Sequence, residues 1–201
     1  MDGELKFASL SEQVYGYLRQ QMNYGDLLPG STINIGEIAR QRGISKTPLR
    51  DALIQDVKNA YDSIGLIEAF IVTECIDKIE SSHIQRLEEL NKKMISDINK
   101  NDFSQLFTTN LQFHNVYLDV SENEPLKKFI LPIKHRLYDF PRQNYIKEWE
   151  LRNCEEHNIF INHLQQGSGE EAAKVLKDIH WSFDYQKEFI YTFYEGQYES
   201  D

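Results

Sequence analysis

The chain has 201 residues, 40% apolar and 27% charged, with a formal net charge of −10. These proportions describe an ordinary folded domain, and no apolar run approaches the roughly 18 to 20 residues that a membrane span requires. The start, MDGELKFASL, lacks the basic and apolar stretches of a secretory signal, and Cys75 and Cys154 form no CxxC pair, so a cytoplasmic protein with reduced thiols is expected.

Ser9, Leu10, Ser11 and Glu12 fit a capping box at a helix start, and Leu10, Val14, Tyr17, Leu18 and Met22 follow at helical spacing. Gly25, Pro29 and Gly30 punctuate its end. A short helix is predicted over 35–42, then Gly43 for a turn and Ser45 as N-cap, with Thr47 and Pro48 in the next first turn. Beyond residue 56 the spacing predicts helices over 57–79, 82–99, 102–120, 124–139, 147–166 and 169–193. No run of alternating strand residues is found. The fold class is therefore mostly α: a helix-turn-helix head followed by an antiparallel helix bundle of about 140 residues.

Charge separates the same two parts. Residues 1–55 hold six Lys/Arg and six Asp/Glu, so the remainder carries the whole −10. Arg40, Arg42, Lys46 and Arg50 cluster in the neutral part. Ala39 is small where two helices cross, Gly43 supplies a positive φ, and Leu49 points back to the core. Lys46 and Arg50 share one face of the following helix, where they can neutralise phosphate or read guanine. A helical hairpin with ordinary surface charge is the competing reading.

Three histidines fall on apolar helix faces. Asn110 and His114 share a face with Phe103, Phe107, Tyr117 and Leu118. His157 lies with Leu151, Cys154, Ile161 and Leu164, and His180 with Ala173, Leu176 and Phe183. His157 and His180 stand about 15 to 17 Å either side of the turn at Gly167 to Gly169, at matched height in an antiparallel hairpin. Taken singly, each suits a satisfied core position. Together they suit zinc, nickel or another late divalent ion.

SLSEQVYGYLRQQMNYGDLLPGSTINIGEIARQRGISKTPLRDAL resembles the N-terminal domain of GntR-type transcription regulators, most closely in GDLLPGSTI and ISKTPLRDAL. The resemblance implies a winged helix-turn-helix with Ser45, Lys46, Thr47 and Arg50 as DNA contacts. DVKNAYDSIGLIEAFIV, NLQFHNVYLDVSENEPL and CEEHNIFINHLQQGSGEEAAKVLKDIH resemble the FCD ligand-binding domain of the FadR-type subfamily. That domain is an all-α, usually dimeric bundle that binds small carboxylates, in many members beside a metal held by one Asp and three His. The resemblance places His114, His157 and His180 on the three histidines and Asn110 where the Asp is usual, so weaker metal affinity is expected. Ile64 stands where an effector-anchoring Arg is common, and the effector contacts are left unassigned. His83, His135 and His163 match nothing and read as surface or packing residues.

The resemblance also exposes a gap. GntR-type heads continue past the recognition helix into a further helical segment and a two-stranded wing, whereas here Gln55 is followed directly by DVKNAYDS. Taken literally, 47–79 form one helix of about 33 residues, long for a globular helix without caps. Either the wing is deleted, or the sequence joins two segments across a mobile wing that it leaves out; the second is expected. The domains implied are a DNA-binding head over 1–55 and an FCD-like effector and dimerisation domain over 56–201. The function implied is a non-enzymatic, homodimeric regulator whose affinity for operator DNA is set by a small organic acid. The alternatives are a metal- or ligand-binding helical protein without DNA recognition and, less favoured for want of a placed general base, a histidine-metal hydrolase.

Overall fold

The computed structural model describes residues 16–17, 20–21, 35–139 and 146–195. The capping box at Ser9 to Glu12, the residues Leu10, Val14, Leu18 and Met22, the breakers Gly25, Pro29 and Gly30, and Pro141 lie outside them. Among the described residues the chain is helical, with no strand. In chain order the elements are α1 (Ile35–Arg42), α2 (Lys46–Cys75) with a 3-10 turn (Ile76–Lys78), α3 (Ser81–Lys100), α4 (Phe103–Leu118), α5 (Glu124–Asp139), α6 (Lys147–Gln165), α7 (Gly169–Lys174) with a π-helical turn (Val175–His180), and α8 (Phe183–Glu195).

The local chemistry explains most boundaries. Gly43 takes φ +63° after α1, and the Ile44 N–H reaches back to the Ala39 carbonyl at 3.0 Å. Ala39 and Leu49 are buried in the crossing of α1 with α2. A capping box opens α3: Glu80 accepts from the His83 backbone, and His83 Nδ1 accepts from the Glu80 N–H at 3.0 Å. His83 is thus a helix-starting residue. Asn101, with φ 58°, ends α3, and the Asp102 side chain caps α4 by accepting from the Gln105 N–H at 3.3 Å. Gly167, with φ +67°, turns α6 into α7.

Two departures from the sequence pattern matter. The first bundle helix starts at Lys46 rather than 57 and runs unbroken across the Gln55–Asp56 junction, as the literal reading of 47–79 has it, ending in the 3-10 turn short of residue 79. The helix expected over 169–193 is broken after His180. The Trp181 N–H bonds five residues back, to the Leu176 carbonyl at 2.8 Å, which widens the helix into a π turn. Ser182 then restarts the chain by accepting from the Tyr185 N–H at 3.3 Å on its hydroxyl.

The 30-residue α2 is the axis of the bundle and packs against α4, α5, α7, the π turn and α8. Its apolar face, with Leu49, Leu53, Val57, Ile64, Ile71 and Val72, joins the main core. At Gly65 the π turn comes so close that an added Cβ would lie 3.0 Å from Trp181 Cβ and 3.5 Å from Lys177 Cα. Gly65→Val is therefore expected to cost about 1 to 3 kcal/mol of stability, read as a lower urea midpoint, because two backbones must separate to admit the branch.

Candidate metal centre and DNA-reading helix

Five segments of the bundle each turn an ionisable side chain inward: Glu68 from α2, His114 from α4, Lys134 from α5, Glu156 and His157 from α6, and His180 from the π turn. Glu68, His114 and Lys134 are fully buried, and the others are at most 5% exposed. Charged groups at such depth persist only when paired and hydrogen-bonded.

The three histidines converge. Ring centroids lie 5.3 Å apart for His114–His157, 5.2 Å for His114–His180 and 4.7 Å for His157–His180. One ring nitrogen of each lies within 4.8 Å of the others, a grouping that could hold a divalent ion.

The hydrogen bonds behind the rings fix their tautomers. His180 Nδ1 is 2.9 Å from Glu156 Oε2, an acceptor, so Nδ1 carries the proton. His157 Nδ1 is 3.2 Å from Asn91 Oδ1. The orientation of that amide is set by its NH2, which donates to the Cys154 carbonyl at 2.9 Å and to Asn158 Oδ1 at 2.8 Å. Its oxygen therefore accepts, and His157 Nδ1 donates. His114 Nδ1 faces Glu68 Oε2 at 3.1 Å and the Tyr117 hydroxyl at 2.6 Å. That hydroxyl donates to Glu68 Oε2 at 2.6 Å, so it can accept from His114 Nδ1–H. All three imidazoles are thus set to present an Nε2 lone pair. The Nε2 atoms of His114 and His157 are buried with no hydrogen-bond partner among the described residues. An acceptor buried this way costs about 1 to 3 kcal/mol, and a cation relieves it.

The electrostatics point the same way. Burial holds the His114 pKa at about 3, against the opposing pull of Glu68, and holds His157 well below the ordinary histidine value, helped by His180 and His114. Neutral imidazole is the form that ligates metals. Burial pushes Glu68 up, but Lys134 and His114 outweigh it, leaving the carboxyl well below its usual range. Burial pulls Lys134 down, opposed by Glu68. Cys154 is pushed up to about 12, first by burial and then by nearby Glu150, which makes it an inert core thiol.

Asn110 lies one turn before His114 on α4, half-buried, with its Oδ1 shielded from solvent. Ile64 is fully buried on α2, one turn before Glu68. The sequence pattern pointed to neither Glu68, Lys134, Glu156 nor Asn91. Glu68 occupies a core position between Ile64 and Val72, and Lys134 another between Ile130 and Leu137. One acidic and one basic residue at interior positions of two different helices is the signal that could have found them.

At the other end of α2, Ser45, Lys46 and Thr47 are exposed around the first turn. Ser45 takes the N-cap position with extended geometry, φ −73° and ψ 157°, but its hydroxyl makes no cap hydrogen bond. Arg50 is half-buried one turn further on, and its guanidinium lies 3.3 Å from Asp51 Oδ1. Arg42 stacks 3.6 Å over the Tyr17 ring.

Residues 59–180 match the FCD domain, and residues 10–57 match the gntR family of bacterial regulatory proteins. The chain is a GntR-family transcription regulator with an FCD domain. It is 27% identical over 208 aligned positions to the HTH-type transcriptional regulator McbR of Escherichia coli K12, covering 88% of this chain and 92% of that one. It is 22% identical over 197 positions to the HTH-type regulator YdhC of Bacillus subtilis 168, covering 86% and 88%. Since 208 positions engage only 88% of the 201-residue chain, McbR carries residues that have no counterpart here. The solved E. coli McbR/YncC structure superposes with a TM-score of 0.56 at 20% identity, covering 94% and 99% of the two chains. Lar, which controls expression of the Listeria monocytogenes agr system, superposes at 0.58 and 17% identity over 94% and 99%. These likenesses establish a shared fold. GntR regulators are not enzymes, which disposes of the hydrolase alternative.

Two outcomes follow for the buried cluster of this GntR regulator. Glu68→Ala strands the Lys134 ammonium and is expected to cost about 3 to 5 kcal/mol in urea unfolding. The second concerns pH. His114 is ordinary at 6.5 when unfolded and held to about 3 when folded, so between these values only the unfolded chain takes the proton. The metal-free protein should therefore lose stability as pH falls from about 6.5, by about 1.4 kcal/mol per pH unit for each such histidine, in thermal melts across that range.

Proposed function

We propose that this regulator binds operator DNA as a cytoplasmic homodimer, and that a small organic acid held with a divalent metal ion in the FCD domain sets its operator affinity. The head comprises residues 1–55 and the effector domain 56–201, so the boundary falls inside α2. Ser45, Lys46, Thr47 and Arg50 contact the operator. His114, His157 and His180, with Asn110 beside them, hold the ion, zinc or nickel by the chemistry of the donors.

The observation that carries the reading is the convergence of three Nδ1-protonated imidazoles, two with buried and unpartnered Nε2 atoms. When bound, the ion supplies positive charge and open positions for carboxylate oxygens. The protein's own groups orient the rings and exclude water, and burial keeps His114 and His157 neutral. Leu66, Phe70 and Phe129, large apolar residues 50% to 60% exposed on the packed pair α2 and α5, support self-association. No described helix is long and apolar enough to cross a membrane.

The route from effector to operator is α2 itself. Arg50 near its start and Glu68 behind His114 are 18 residues apart on one helix, about 27 Å along its axis. A change in how the cluster holds α2 tilts a rod whose other end reads DNA. The two half-sites are then related by the dimer's two-fold axis. Such coupling requires the effector to prefer one placement of the heads.

A second reading, a ligand-binding helical protein that does not read DNA, is favoured by the uninterrupted α2, which leaves no residues for a wing. Selection of bound genomic fragments by the full-length protein separates the two. The regulator reading expects enrichment of discrete, two-fold related sites, and no enrichment defeats it. Arg50→Ala should weaken binding to an enriched site by at least tenfold, the scale of one lost guanine contact, with no change in melting temperature. Unchanged affinity would remove Arg50 from the interface.

A further inference from the structure

The candidate ligand set carries no negative charge. His114, His157 and His180 offer imidazole nitrogens and no anion, and Asn110, one turn before His114, offers only an amide. A divalent ion among them would bring two positive charges to a place where no histidine is more than 5% exposed. Desolvating that charge without an anion nearby is strongly unfavourable.

Two carboxylates stand directly behind the rings. Glu156 Oε2 is 2.9 Å from His180 Nδ1, and Glu68 Oε2 is 3.1 Å from His114 Nδ1. They come from separate helices and are 4% and 0% exposed. His157 is backed instead by the neutral amide of Asn91 at 3.2 Å. Glu156 is held in place by Gln186, fully buried, whose Nε2 donates to Oε1 at 2.9 Å. A further contact to that oxygen comes from Arg152 Nε at 3.6 Å, from a side chain 36% exposed. Glu68 shares its charge with the buried Lys134.

We infer that the negative charge of this metal centre sits behind the ligands rather than among them: Glu156 through His180, and Glu68 through His114, are positioning residues that offset the ion's charge and strengthen the imidazoles as donors. This rests on the metal reading above and adds what the site selects. A buried inner set of nitrogens, with anions one bond removed, favours zinc, nickel or cobalt over manganese or magnesium, which require oxygen ligands in contact.

The test uses the metal-stripped full-length protein, with zinc and manganese titrated against a chromogenic chelator and apo stability followed by thermal melts. Wild type should take up one zinc per chain and discriminate strongly against manganese. Glu156→Gln, isosteric with the native side chain, should weaken zinc by about 10- to 100-fold. Glu68→Gln with Lys134→Met removes the other carboxylate and leaves no stranded charge, so it tests the second arm in a chain that still folds; a similar loss is expected. The decisive arm adds Asn110→Asp to Glu156→Gln. Returning a carboxylate to the ligand set should restore zinc affinity at least tenfold and raise manganese affinity, which repair of packing would not do. Wild-type zinc affinity in both carboxylate variants overturns the inference, as does a Glu156→Gln loss that Asn110→Asp leaves unrelieved. Absence of zinc uptake by wild type brings down the metal reading itself, a result distinct from either.

Discussion

Glu68 is a carboxylate with no access to water, and the bundle is arranged around satisfying it. One oxygen takes the Lys134 ammonium from α5, while the other accepts from the Tyr117 hydroxyl of α4 and from Trp181 Nε1, the last at 2.7 Å. His114 sits against the same oxygen. A buried anion missing one of these donors would be costly, so α2, α4, α5 and the chain after the π turn are held in one mutual placement. The π turn contributes to this arrangement. It sets Trp181 on Glu68 while its neighbour His180 faces His114 and His157, with Gly65 giving the backbone room to approach.

In the function proposed above, the same knot connects the effector site to the DNA-reading head. Glu68 belongs to α2, whose opposite end carries Lys46, Thr47 and Arg50. A group that alters the balance of charge around His114 acts on a helix that also belongs to the DNA-reading head. The acidic body and the neutral head, with its local basic cluster, then have distinct electrostatic tasks. In that reading the head meets phosphate, and the body stays away from it.

The histidines were legible in the sequence because their signal is local. His157 and His180 lie at matched distances from a glycine turn, and a single hairpin brings such positions together; their rings are 4.7 Å apart. His114 was legible as an imidazole on an apolar stripe. Glu68, Lys134 and Glu156 were not, because each reads locally as one of many charged helix residues. Only the pairing of α2 with α5, and of α6 with the π turn, shows that these charges face each other at zero or near-zero exposure. The break after His180 was hidden for a similar reason. WSF continues the helical pattern of apolar residues, and the contact that accompanies the break, Trp181 on Glu68, spans 113 residues.

Helical periodicity, the turn at Gly43 and the spacing of Ala39 to Leu49 were determined by the sequence alone, since each depends on residues within a few positions. The same holds for the family and for the candidate ligands. The tertiary structure decided the rest: which carboxylate backs which histidine, which ring nitrogen is left to bind, and how a buried Lys–Glu pair ties α2 to the cluster. Those depend on separations of 46 to 113 residues between Glu68 and His114, Lys134 or Trp181, where only packing brings the partners into contact.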